Sequence, residues 1–329
     1  EMGEEKLTCA QLHTASNQLA RLLRKRGVEP GKRVGIAMPR SPRWVVALLG
    51  ALKAGAVIVP LDEQAKEPVG GISAWIVDTL AEGETRELPV VQMLTDSFAH
   101  EKSRGLQNEV TPASEALACI DGGAERVFTH EALLAAFQST ASLLGLTPID
   151  RVLQFAPTGT FPAIEETLST LLSGATVVMS DHRWATRTAL QEFVQEAAIT
   201  TLSVPTPFWT QWTHYLSELS LRVPGTLRLA VITGEWPSPN APQAWVAIFD
   251  TTRPLRRTHA SAACGLGLCG EASAPSLLGQ PAPATRARLV DGRGLVVPLG
   301  LPGSIEIAAP GGKFAPLGVE ALAAPDGVF

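Results

Sequence analysis

Residues 7–62 read LTCAQLHTASNQLARLLRKRGVEPGKRVGIAMPRSPRWVVALLGALKAGAVIVPLD. Thr8, with Gln11 three positions later, forms a capping-box pattern at the start of a helix. Leu12, Ala15, Leu19, Leu22 and Leu23 then fall on one face of about five turns, and Gly27 suits a left-handed stop. A short apolar strand at Val34 to Met38 follows, then a helix opened by Ser41 and Pro42 and stopped at Gly55, then a strand at Val57 to Val59. Helices alternating with short apolar strands predict an α/β unit with a largely parallel sheet.

The same alternation returns further along, with a weaker stretch between. Over 63–115 the pattern is divergent: ISAWIVDTL reads as a possible helix and VVQML as a strand, followed by a polar stretch over 96–114. Helices are expected at Thr129 to Leu144, Ile164 to Leu172 and Thr188 to Glu196. Strands are expected at Val152 to Phe155, Thr176 to Met179, Thr200 to Val204 and Leu227 to Ile232. After Pro281 the texture changes to short strands punctuated by Gly and Pro, which predicts a small β-barrel. The expected organisation is a first α/β subdomain over 1–130, a second over 131–255, and a segment over 256–329 that holds the barrel.

The chain has 329 residues, 45% of them hydrophobic, enough to bury more than one core. A formal charge of −5 and the lack of a contiguous Lys/Arg-rich block argue against nucleic acid or an anionic membrane as the main partner. Cys9, Cys119, Cys264 and Cys269 make neither a CxxC pair nor a disulfide framework, so the expected compartment is the reducing cytoplasm and no metal site is implied. Neither a leader at Glu1 nor a membrane-spanning apolar run is expected.

The opening stretch, with DRVLQFAPTGTF (150–161), LLSGATVVMS (171–180), LRLAVITGE (227–235) and LGQPAPATRARLVDGRGLVVPLGLPGSIEIAAPG (278–311), resembles the adenylation domains of nonribosomal peptide synthetases. The order and spacing match over almost the whole chain. The resemblance implies the adenylate-forming fold: two α/β subdomains plus a small β-barrel, without the C-terminal lid subdomain that would follow Phe329 and carry a catalytic lysine. No lysine lies between Lys102 and Lys313.

The residues that the family uses for chemistry are replaced here. Its TSGTTGxPKG loop holds the ATP phosphates with backbone N–H groups, hydroxyls and a lysine, and needs glycine for close approach. The corresponding run over 118–130, ACIDGGAERVFTH, has lost several residues, keeps no Ser, Thr or Lys between Ile120 and Arg126, and places Asp121 and Glu125 where donors belong. Gly122-Gly123 reads as a tight hairpin turn in preference to a phosphate cradle.

In the family's NxYGPTE segment an aromatic ring lies near adenine and a glutamate ligates magnesium. The aligned residues, Arg257 to Ala263, put His259 at the ring position, either stacking on a ring or simply packed or solvated, and Ala263 at the metal ligand. The aspartate that pairs with a substrate's α-ammonium aligns with Phe161. A cation–π contact returns about 2 kcal/mol against the several lost on burying an unpaired ammonium. Phe161 and Trp236 either fill that pocket as core or line one for an acid without an amine. The ribose-binding aspartate of TGDL aligns with Val319, while Gly234-Glu235 survives from a segment near the nucleotide.

The implied function is a catalytically inactive pseudo-adenylation domain without cofactor or metal, in a nonribosomal peptide synthetase or hybrid polyketide assembly line. Its expected partners are neighbouring condensation, cyclization, ketosynthase or carrier domains, or an adenylating enzyme acting in trans. The alternatives are a divergent ligase for a carboxylic acid lacking an amine, completed by a C-terminal subdomain outside this chain, and a fragment of an interrupted adenylation domain.

Overall fold

The computed structural model describes residues 1–65, 71–81, 84, 87–106, 110–121, 124–181, 187–233, 255–261, 265–271, 280–281, 286–298, 301–308 and 315–321. For 120–121, 124, 187, 255–281 and 315–321 the description is of the backbone only. By contacts the chain divides into two compact units. One comprises 1–134, 156–167 and 179–181, the other 135–155, 168–178 and 182–329.

In the first unit the opening stretch folds as its pattern dictates. Helix α1 (Cys9–Lys25) starts at a complete capping box: Gln11 N–H donates to Thr8 Oγ1 at 3.2 Å, and Thr8 N–H donates to Gln11 Oε1 at 2.8 Å. It ends at Arg26, and Gly27 follows in the left-handed conformation, φ +87°. Strand β1 (Arg33–Ala37) leads to helix α2 (Pro42–Ala54), where Ser41 Oγ accepts from Trp44 N–H. Strand β2 (Val57–Leu61) lies parallel to β1 and is buried throughout. The two helices meet at Gly50. A Cβ there would sit 2.7 Å from Leu19 Cδ2, so only glycine lets the α1 side chain seat against the α2 backbone.

The divergent stretch corrects one expectation. ISAWIVDTL is not a helix: it contains strand β3 (Ala74–Val77), parallel to β1, with all four residues at most 3% exposed. A four-residue apolar run buried on both faces has no alternation to mark it as a strand, and periodicity alone cannot separate it from a buried helix segment. Strand β4 (Val90–Gln92) pairs parallel with β3. Strands β5 (Glu115–Asp121) and β6 (Ala124–Thr129) are antiparallel partners. The sheet order is β4-β3-β1-β2-β5-β6, with Val57, Val59, Leu61, Trp75 and Ala118 in its core.

The chain continues through α3 (His130–Leu143), β7 (Arg151–Leu153), α4 (Phe161–Leu172), β8 (Thr176–Val178), α5 (Arg187–Glu196), β9 (Thr201–Pro205), α6 (Thr206–Glu218) and β10 (Leu229–Thr233). Next come β11 (Leu255–Ser261), β12 (Gly265–Glu271) and β13 (Gln280–Pro281). The second unit's sheet runs β13-β12-β11-β10-β9-β7-β8, parallel from β8 to β11 and antiparallel beyond. Its core holds Leu190, Val194, Leu202, Val204, Trp209, Trp212 and Leu216.

The start of β7 is anchored by a polar knot. Asp150, 1% exposed, accepts from Arg228 Nε at 2.6 Å and Nη2 at 2.8 Å, from Thr200 Oγ1 at 2.7 Å, and from Thr147 N–H and Oγ1 at 2.9 Å each. Burial pushes this carboxyl up, but the hydrogen bonds from Arg228, Thr200 and Thr147 outweigh it and hold the group well below the usual carboxylate range. A last antiparallel sheet has the order β14 (Arg286–Val290), β15 (Gly303–Ala308), β16 (Ala315–Ala321), with Ile305 and Ile307 fully buried.

Candidate functional site

The stretch that the resemblance aligns with the phosphate loop holds the antiparallel partners β5 and β6. The β5–β6 ladder pairs Cys119 with Arg126, Ile120 with Glu125 and Asp121 with Ala124, so two residues, 122 and 123, separate the strands. Those two glycines lie outside the described residues. Two residues is the commonest length for a connection between antiparallel neighbours of this kind.

Glu125 does not stand as a free negative charge. Its carboxylate receives both guanidinium nitrogens of Arg33, Nη1 at 2.5 Å and Nη2 at 3.2 Å. Hydrogen bonding to Arg33 holds the Glu125 carboxyl below its ordinary value, and the same contact raises Arg33. The Glu125 carboxylate is therefore locally compensated by Arg33.

Phe161 opens α4 and is 4% exposed. Its ring stacks on Phe128 of β6, centroids 5.0 Å apart at 24°, so the residue that the resemblance aligns with the amine ligand is joined to β6. The stack excludes water and offers no acceptor to an ammonium. The segment before α4 is fixed just as firmly. Thr158 Oγ1 donates to Met38 O at 2.8 Å, and a Cβ on Gly159 would lie 2.6 Å from the Leu61 carbonyl carbon. Arg40 donates to Ser180 O at 3.2 Å and to Ala156 O at 3.1 Å, while Ala156 N–H donates to Glu166 Oε2 at 3.0 Å. Burial lowers the Arg40 guanidinium, and Glu166 and Glu63 act in the opposite sense. All of these polar groups are spent on backbone and on one another.

His130, the first residue of α3, has a buried Nε2 without a hydrogen-bond partner, and burial pushes its imidazole down, so it is neutral at pH 7.

Among the remaining sequence-derived positions, His259 and Val319 lie on β11 and β16, described in their backbone only, and Asp121 closes β5 in the same way. Ala263, Trp236 and Gly234-Glu235 lie outside the described residues. The structure thus brings together Phe161 and the hairpin. Sequence reasoning overlooked Phe128, Arg33 and Arg40. The alternation in Glu125-Arg126-Val127-Phe128 was the available signal for Phe128, since it sends every second residue to one face of β6.

Comparison with known proteins places this architecture. The family described as AMP-binding enzyme matches residues 2–69 and 127–312, and the chain belongs to it. Within that family it is of the adenylation type found in nonribosomal peptide synthetases and covers the N-terminal core. It is 26% identical over 326 residues to one of the linear gramicidin synthase subunits of Brevibacillus parabrevis, across 93% of this chain and 6% of that protein. With the isonitrile lipopeptide synthase of Streptomyces coeruleorubidus it shares 29% identity across 87% of this chain and 21% of that protein. The chain therefore spans a small fraction of the curated relatives it matches.

In fold it resembles the N-terminal subdomain of Klebsiella oxytoca NpsA in complex with 3-hydroxyanthranilyl-AMSN, with a TM-score of 0.85, 18% identity and coverage of 99% of this chain and 92% of that one. It also resembles the nonribosomal peptide synthetase FmoA3 in its AMPPNP-bound form, with a TM-score of 0.88, 20% identity, and coverage of 99% and 40%. The family match skips residues 70–126, which contain β3, β4, β5 and the start of β6.

Proposed function

We propose that this chain is a catalytically inactive pseudo-adenylation domain with an architectural or docking role in a nonribosomal peptide synthetase or hybrid assembly line. One observation carries the reading: β5 and β6 pair up to Asp121 and Ala124, within the stretch that the family match skips, and the sequence resemblance aligns the family's phosphate loop with the two residues between them. Phe161 supports it by placing a stacked ring where an amine-selecting domain places a carboxylate. Asp121, Gly122, Gly123, Glu125, Phe161, His259, Ala263 and Val319 are the degenerated positions, none of them catalytic. Removing one preorganised electrostatic group typically costs about 10²- to 10³-fold in rate. Such losses are not additive, yet with the loop, metal ligand, ribose ligand and amine ligand all read as replaced, the sequence offers no identifiable group to stabilise the transfer.

Neighbouring condensation, cyclization, ketosynthase or carrier domains, or an adenylating enzyme acting in trans, are the proposed partners; this role rests on the site, since fold alone does not define it. The test is ATP–pyrophosphate exchange with magnesium over amino, hydroxy, keto and aryl acids, using the chain alone and any longer polypeptide that carries it. Background rates throughout are expected. Exchange dependent on an acid without an amine would instead establish the divergent ligase.

A further inference from the structure

A strongly charged surface lies along α1. The segment after β4 crosses α1 and is held there through its carbonyls. Asn17 Nδ2 donates to Ser103 O at 2.6 Å and Gln18 Nε2 to Ala99 O at 2.7 Å. Arg21 donates from Nε to Lys102 O at 3.0 Å and from Nη2 to Arg104 O at 2.6 Å. Asn17 and Gln18 precede Arg21 by four and three positions, so the three form a single stripe, and Arg24 sits beside Arg21 three positions on.

This seating gathers cations. Arg21, Arg24, Lys25 and Arg26 of the α1 end meet Lys102 and Arg104 of the crossing segment, six cations against the two carboxylates of Asp96 and Glu101. The local net charge is +4, in a chain whose total is −5. Both carboxylates are already committed, Glu101 to Lys25 at 2.5 Å and Asp96 to Arg26 at 3.2 Å. Arg21 is committed to carbonyls. Among the described residues the side chains of Arg24, Lys102 and Arg104 have no hydrogen bond or ion pair, and Lys102 and Arg104 are exposed. Lys102 and Arg104 belong to the stretch that the family match skips.

We propose that the surface formed by α1 and residues 96–105 is a docking site for an acidic polypeptide segment, with Arg24, Lys102 and Arg104 as the cations that receive its carboxylates. A partner with an excess of Asp and Glu fits the local excess of four positive charges, and steering by that excess makes association fast and salt-dependent. This inference is independent of whether the chain forms adenylates.

The test is fluorescence anisotropy of a labelled Asp/Glu-rich peptide titrated with the chain, beside a Ser/Gly-rich peptide of equal length. Salt is raised from about 0.01 M to about 1 M, which shortens the Debye length from roughly 30 Å to roughly 3 Å. The acidic peptide alone is expected to bind, to weaken steadily with salt, and to lose about tenfold or more in affinity with the triple variant Arg24→Glu, Lys102→Glu, Arg104→Glu. Arg293→Glu, an exposed arginine in the turn between β14 and β15, should leave binding unchanged. Should the triple variant fold poorly, Lys102→Gln with Arg104→Gln reads the same loss without charge reversal. Equal binding of both peptides, or an undiminished affinity in the variants, overturns the proposal. So does tighter binding of RNA or of anionic vesicles at about 0.15 M salt, or sedimentation showing that the wild-type surface is covered by a second copy of the chain.

Discussion

Replacing Phe161 with alanine tests whether the aligned amine position is filled core. At 4% exposure nearly all of a ring's roughly 200 Å² is out of water, about 5 kcal/mol at about 25 cal/mol/Å². Alanine retains part of that burial, so the expected loss is about 3 to 4 kcal/mol, within the usual range for Phe to Ala in a core. The stack with Phe128 at 5.0 Å adds a pairwise part of about 0.5 to 1.5 kcal/mol, which the cycle Phe161→Ala, Phe128→Ala and the double variant isolates. Because the chain divides into two compact units, the readout should be local: hydrogen exchange of the β6 and α4 amides reports the opening free energy of this region directly. Both single variants should speed exchange there, and the double should cost less than their sum. A loss below about 1 kcal/mol for Phe161→Ala, or strict additivity, would refute the packed stack. Phe161→Asp should destabilise at least as much and should not create amino-acid-dependent exchange of pyrophosphate.

Asp150→Ala removes the carboxylate that accepts from Arg228 and Thr200 and is expected to cost about 3 kcal/mol in urea unfolding, the low end for a broken buried pair because Arg228 is 40% exposed and can rehydrate. Since Asp150 is held below its unfolded value, its contribution is fully present above about pH 4 and is lost as pH falls further; acid titration of stability should therefore be shallower in Asp150→Asn than in wild type. Gly159→Ala drives a methyl into the backbone at Leu61 and Asp62, which cannot step aside as a side chain does, and should lower stability by about 1 to 3 kcal/mol by thermal melting. Thr8→Ala removes one half of the α1 capping box and should cost about 1 kcal/mol, measured as faster exchange in the first turn of α1.

Much of this fold was legible because its signals are local. Thr8 with Gln11, Ser41 with Pro42, and Gly55 at φ +79° each fix a helix end through hydrogen bonds or sterics that involve only near neighbours. The strand β3 was not legible, since Ala74 to Val77 are apolar on both faces and carry no alternation. Helix α6 was passed over, although Trp209, Trp212 and Leu216 at spacings of three and four mark its buried face. At the candidate site, sequence singled out Phe161 and the two glycines between β5 and β6 but not what touches the elements that carry them. The Phe128 stack and the Arg33 pair with Glu125 join residues far apart in the chain, and no local pattern encodes such contacts.

The central claim is that the nucleotide site is gone, and binding tests it without requiring any further domain. Calorimetry should compare ATP with magnesium, and 3-hydroxyanthranilyl-AMSN, titrated into this chain and into the Klebsiella oxytoca NpsA N-terminal subdomain, a protein whose fold this chain shares and which forms a complex with that compound. No saturable heat from either ligand is predicted for this chain up to millimolar concentration, with the NpsA subdomain responding to the second. A micromolar dissociation constant for ATP, about −8 kcal/mol, would contradict the account.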